Sequence, residues 1–190
     1  MQTTNIKSPL SAEEAAFLAL NGDEFNHLVT FLDFAPESLT IGFVAIDFPR
    51  DRETLFHLLA QDERCQDVQF EMFHCDDRKL RFLRDQLIVE MPKRIPLPGK
   101  KLVVVITGLE ESIGLLGEYP PVLQDLNYVR EGFTSTVPHP LLICIPDTTL
   151  TRLAKFAPDF WAWRRAVLQF QTLPSTREAA IAETDRKSVV

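Results

Sequence analysis

Residues Asp47-Phe48-Pro49-Arg50-Asp51-Arg52-Glu53-Thr54 follow an apolar run and open a helical pattern. In that context a phosphate-binding loop would read G-x-x-x-x-G-K-[ST]. Against this template Asp47 and Arg52 hold the glycine positions, Glu53 holds the lysine position, and only Thr54 fits. Glycine is required where backbone amides approach phosphates closely with φ > 0, so side chains there obstruct the cradle. A carboxylate in place of the lysine adds repulsion of roughly 4 kcal/mol per unit charge pair at ~4 Å and an effective dielectric of ~20.

A second apolar run, Val103-Val104-Val105-Ile106, ends in Thr107-Gly108-Leu109-Glu110-Glu111. It has the outline of a Walker B strand, with Thr107 where the magnesium-linked aspartate would stand. The candidate cofactor-binding set, Asp47, Arg52, Glu53, Thr54 and Thr107, is therefore degenerate. If the site were active, Glu110, Glu111 and Asp47 would hold magnesium with ATP or GTP; the simpler reading makes Glu110 and Glu111 favourable charges at a helix N-terminus. A receiver-type acidic pocket needs an aspartate ending the third strand and a lysine ending the fifth, where Thr107 and Gln171 stand instead. Around the expected strand ends, acids (Asp47, Asp51, Glu53, Asp76, Asp77, Glu110, Glu111, Asp147) outnumber bases (Arg50, Arg52, Arg78, Lys79), so an anion finds little attraction.

No metal site is expected. His74-Cys75-Asp76-Asp77 mixes ligand types, but adjacent residues of an extended segment point to opposite faces and do not all meet one ion; Asp76 or Asp77 reads better as a helix cap. Cys144, inside an apolar run with no base beside it, reads as a small core residue. His27, His57 and His139 stand outside any motif. Phe156, Phe160, Trp161 and Trp163 fall close together, a pattern that fills a core or anchors a partner. Core filling is preferred, with Phe160, Trp161 and Trp163 as the interaction residues under the second reading.

The elements that would position these residues follow from periodicity. Ser11-Ala12-Glu13-Glu14 has the form of a capping box and Asn21-Gly22 reads as a stop; Phe25, Leu28, Val29 and Leu32 then lie at offsets 0, 3, 4 and 7. Residues 11–33 thus read as two short helices packed on the main domain. From residue 39, short apolar runs alternate with amphipathic helices, the mark of a parallel sheet wrapped by crossover helices. Strands are expected at 40–46, 68–73, 102–106, 141–145 and 166–170, with the third and fourth mid-sheet because they are apolar nearly throughout. Helices are expected around Leu80, Leu83 and Leu87; around Val122, Leu126, Val129 and Phe133; and around Leu150, Leu153, Ala154 and Ala157, ending or kinking at Pro158. The proline-rich stretch 92–101 reads as a loop, Pro174-Ser175 opens a last polar helix, and residues 185–190 read as a frayed tail.

With 190 residues, 45% apolar and 25% charged, the chain has the composition of one globular domain rather than a disordered or fibrous one. Its net charge of -7 has the wrong sign for non-specific binding to nucleic acid or anionic lipid. Cys65, Cys75 and Cys144 suggest neither a disulfide framework nor a thiolate zinc site, and no secretion signal or membrane span is read, so the cytoplasm is the expected location.

Ile106-Thr107-Gly108-Leu109-Glu110, Leu126-Asn127-Tyr128-Val129-Arg130-Glu131, residues 138–147 and Ala157-Pro158-Asp159-Phe160-Trp161-Ala162-Trp163-Arg164 occur in this order. Over about residues 39–171 the chain resembles the NTPase-like region that precedes tetratricopeptide arrays in many bacterial, especially cyanobacterial, proteins. That family is similar in layout to the signal-transduction NTPases with many domains. The resemblance implies a three-layer α/β sandwich with a five-stranded parallel sheet in the P-loop-NTPase-like order 5-1-4-3-2. It also implies a switch or scaffold role feeding a helical-repeat array. The chain departs from the pattern in its nucleotide motifs and carries no repeat array; residues 175–183 are expected to be the stub of a connection to one.

The reading is a helical lead-in (1–38), an NTPase-like α/β domain (39–171), and a linker helix with a frayed tail (172–190). The domain is expected to be catalytically silent, without cofactor, and to act through protein contacts, with a helical-repeat domain as the implied partner and no nucleic acid or membrane. The alternative is an active NTPase or magnesium-dependent phosphohydrolase with unfamiliar motifs.

Overall fold

A computed structural model describes residues 8–117 and 119–188. The start of the lead-in (1–7) and the end of the expected tail (189–190) lie outside the described residues. The middle of one sheet is formed by β3 (Lys101–Thr107) and β4 (Pro140–Ile145), the runs richest in Val, Ile and Leu, together with β1 (Thr40–Ala45), which is buried throughout. β2 (Val68–His74) and β5 (Arg164–Gln169) close its two ends, giving the order β2-β3-β4-β1-β5 with every pairing parallel. Read from the other end this is 5-1-4-3-2, the P-loop-like arrangement. Parallel strands need crossovers, and helices supply them on both faces.

The pleat sorts side chains into two cores. Ile41, Phe43, Val104, Ile106, Leu141 and Ile143 face α3 (Leu83–Glu90), α4 (Glu110–Ile113), α5 (Pro121–Thr136), α6 (Asp147–Phe156) and α7 (Pro158–Ala162). Their alternates Val44, Val103, Val105, Leu142 and Cys144 face α1 (Ala12–Phe34) and α2 (Pro49–Gln61). Each fully buried aliphatic side chain contributes about 1.5–3 kcal/mol of transfer free energy, so the two layers account for the sheet's central position.

The lead-in breaks where expected: α1 consists of two helical halves that meet at a kink, where Asn21 leaves helical geometry (φ -121°, ψ 16°). The capping box does form, with Glu14 N donating to Ser11 Oγ (3.2 Å) and Ser11 N donating to Glu14 Oε2 (2.7 Å). Asn21 also has a tertiary task at this break. Its side-chain amide donates to Gln171 O (3.0 Å) and accepts from Gln171 N (2.7 Å), joining the kink to the chain after β5. Leu80 is buried as its period requires, but it precedes α3 in a turn. Pro158 ends α6 and opens α7. The last helix, α8 (Pro174–Ser188), continues through residues read as fraying.

Candidate functional site

The carboxyl edge of the sheet is where an open parallel α/β fold binds ligands. After β1 only Ile46, Asp47 and Phe48 precede Pro49, the first residue of α2. Proline suits a helix first turn, since it lacks the N–H that would be orphaned there. The helix therefore begins where the template requires an open loop, and Arg52, Glu53 and Thr54 lie on α2. No positive-φ residue occurs between β1 and α2.

Asp47 and Thr54 of the template each have another occupation. Asp47 Oδ1 accepts from the backbone N–H of Asp147 at the start of α6 (3.1 Å), and Asp147 in turn accepts from Gln169 Nε2 (3.2 Å). The Thr54 hydroxyl donates back to Arg50 O (3.1 Å) within its own helix. Glu53 is exposed beside Ser11, Glu14 and His57 in a shallow opening. Arg50 is held by a two-pronged pair to Glu13 (2.6 and 2.8 Å), which keeps the Glu13 carboxyl below its ordinary range.

Asp51, a residue the template leaves unspecified, is fully buried. Its carboxylate accepts from Thr176 Oγ1 (2.5 Å) and from Leu173 N (3.1 Å), so it ties the first turn of α2 to the start of α8. The positive end of the α2 dipole and two donors together replace water around this charge. The region where a nucleotide cradle would open is thus cross-linked by the chain's own carboxyl-terminal segment. Nothing in the sequence near Asp51 signals this, because its partners lie 122 and 125 residues away.

At the end of β3, Thr107 is buried, with its hydroxyl 3.0 Å from His74 Nδ1 and 3.4 Å from Phe73 O. Gly108 adopts φ +79°, and a Cβ there would stand 2.6 Å from Cys75 O, so β3 turns into α4 only with glycine at this position. Glu111 pairs with Arg78 at the surface (2.9 Å). Glu110 keeps one oxygen buried and unpartnered among the described residues. These two glutamates and Asp47 do not converge: among the described residues no three His, Cys, Asp or Glu side chains form a metal-holding group. Asp77 closes a local turn by accepting from Lys79 N (2.8 Å). Burial pushes the Cys65 and Cys144 thiols up to about 12 and Cys75 to about 11, which removes all three as nucleophiles near neutral pH.

The aromatic cluster divides. Phe160 is fully buried and packs on Phe133 (5.4 Å) and Phe43 (6.4 Å), so it fills the core and presents nothing to a partner. Trp161 packs on Phe43 (5.0 Å) and carries the Arg164 guanidinium over its ring at 4.2 Å. Trp163, 36% exposed, borders a small opening with Leu39, Arg164 and Arg165. Among the described residues no helix is long and apolar enough to cross a membrane.

No family model and no curated protein matches the chain. Solved structures do. A chain in the structure of Drosophila ORC bound to poly(dA/dT) DNA and Cdc6 aligns with a TM-score of 0.52 at 16% identity, over 90% of this chain and 32% of that one. Aeropyrum pernix ORC2 in its ADP form aligns at 0.44 and 12% identity, over 96% of this chain and 54% of that one. Rif2 in complex with the C-terminal domain of Rap1 aligns at 0.45 and 12% identity, over 87% and 61%. The chain thus spans about a third of the length of the Drosophila chain it matches. At such identities the likeness is one of fold, and the fold is NTPase-like.

Proposed function

We propose that this chain is a catalytically silent NTPase-like domain that acts in the cytoplasm as a protein-interaction or regulatory scaffold module. The observation that carries the reading is the Asp51 contact: α2 starts at Pro49 without a glycine loop, and its first turn is bonded to Leu173 and Thr176. A nucleotide seated there would have to displace two hydrogen bonds to a buried carboxylate and face Glu53 instead of a lysine. Asp47, Arg52, Glu53, Thr54 and Thr107 then serve the fold, and no cofactor is required. The partner is a protein, with Trp161 and Trp163 as its anchor, and the resemblance to regions preceding tetratricopeptide arrays in bacterial, especially cyanobacterial, proteins makes a helical-repeat domain the partner to try first. The net charge of -7 argues against nucleic acid and against a membrane surface.

Titration with a fluorescent ATP analogue and magnesium tests the silence. No saturable binding at micromolar concentration is expected. Saturable binding altered by Glu53→Ala or Glu110→Ala, or turnover lost on Glu110→Gln with folding intact, overturns the reading in favour of an active enzyme. Trp163→Ala, alone and with Trp161→Ala, should weaken association with a repeat domain; loss of fold in Trp163→Ala alone would assign that residue to the core.

A further inference from the structure

We propose that the free edge of β2 joins two copies of this chain, strand to antiparallel strand, so that one sheet continues into the other. β2 ends the sheet among the described residues. At its limits Cys75 N donates to Thr107 O (2.7 Å) and Asp67 O accepts from Lys101 N (2.7 Å). The odd-numbered residues therefore face β3, and by the period of two the N–H and C=O groups of Phe70, Met72 and His74 point away from the sheet.

The two ends of the sheet are finished differently. At β5, Glu24 of α1 accepts from Gln169 N (3.2 Å), Asn21 takes Gln171 N, and the register shifts between Ile41 and Gly42. Such devices blunt an edge against further pairing. At β2 the loop after α3 guards only the first half, where Gln69 Oε1 accepts from Leu97 N (2.7 Å). Beyond it Met72 is 44% exposed and His74 is open.

A groove flanks this open half on each face. On the α3 side an opening of about 650 Å³ is lined by Phe73, Leu83, Leu87 and Arg94; on the α2 side one of about 370 Å³ is lined by Phe56, Phe70 and Met72. A strand laid along the edge sends alternate side chains to opposite faces, so both sets would find an apolar seat. β2 has this alternation itself, with Phe70 packed on the α2 side and Phe73 on the α3 side.

Charge selects the occupant and the register. Glu71 pairs with Arg94 at 2.8 Å, and the Arg94 guanidinium lies over the Phe73 ring at 5.0 Å. Antiparallel pairing centred on Glu71 would set two carboxylates opposite each other, which is destabilising. Pairing centred on Met72 places Glu71 opposite the partner's Phe73, beside the partner's Arg94. Two carboxylates and two guanidinium groups then alternate across the axis. This self-complementarity is that of a two-fold interface.

The test is the mass of the full chain in solution from about 1 to about 100 μM, by sedimentation or light scattering. The mass should rise from 21.7 kDa to twice that value, with exchange of the Met72 and His74 amides slowing over the same range. Met72→Lys, at an exposed position, should be monomeric with an unchanged circular dichroism spectrum. Glu71→Arg and Arg94→Glu should each be monomeric alone and form a heterodimer when mixed, because each supplies the charge the other lacks. A single-chain mass throughout, or a dimer that survives Met72→Lys while those two amides exchange freely, overturns the proposal. It stands apart from the nucleotide reading: dimerisation without nucleotide leaves that reading untouched, and nucleotide binding by a monomer leaves this one failed.

Discussion

Asp51 shows how a residue can be decisive without belonging to any motif. Asp51→Ala would leave the Leu173 amide and the Thr176 hydroxyl buried without their acceptor, at a cost of about 3 kcal/mol, since a buried hydrogen-bonded carboxylate is being removed. A lowered urea midpoint at unchanged slope measures it. Thr176→Val should cost about 1–2 kcal/mol by the same route. The cysteines make a second prediction. The thiol reagent should find none of Cys65, Cys75 and Cys144 in the native chain, and all of them after denaturation. The folded thiols keep protons that the unfolded chain releases near pH 9.0, so stability should fall as pH rises from about 9 toward about 11–12, with no thiol contribution below that window. A melting temperature that holds steady between pH 9 and 11 would contradict the burial of these groups. The wrong residue type at the lysine position, Glu53, was plain in the sequence. The bonding of Asp51 was not, because the attraction spans 122 residues and has no local pattern.

At the scale of elements, local chemistry fixes both a beginning and a break in α1. The capping box starts α1 where Ser11 and Glu14 require, and Ser11→Ala should cost about 1 kcal/mol by releasing Glu14 N, read by thermal or urea melting. The Glu14 carboxyl is held below its ordinary range chiefly by the Ser11 backbone N–H, so the contribution of that second bond of the box is present above the usual carboxylate range and is lost as pH falls through the lowered value. Asn21-Gly22 reads as a helix end by propensity, and the helical geometry does break at Asn21, where two bonds to Gln171 fix the angle between the two halves. The strands were readable to within two residues because runs such as Val103–Ile106 suit only a position covered on both faces. At Gly108 the reason for glycine appears only in three dimensions: Gly108→Ala drives a Cβ against Cys75 O and forces φ +79° on an L side chain, so it should destabilise by at least 1 kcal/mol in denaturant melts.

For the whole molecule, a ligand that binds the folded state raises its stability by mass action. Under the silent-domain reading, millimolar magnesium with ATP or GTP should leave the melting temperature unchanged within error, and a rise of several degrees would count against it. The alternation of apolar runs and amphipathic stretches was enough to set the α/β class, because burying two sheet faces at once demands that pattern. The sequence also showed that the phosphate-loop residues are absent, since that chemistry depends on residue types in a fixed local order. Only the tertiary structure decided that α2 starts early, that Asp51 is bonded to the start of α8, that Phe160 belongs to the core, and that β2 is left open along half its edge. Each of these depends on which distant segments come into contact, and that is set by the packing of the whole chain rather than by the neighbours of any one residue.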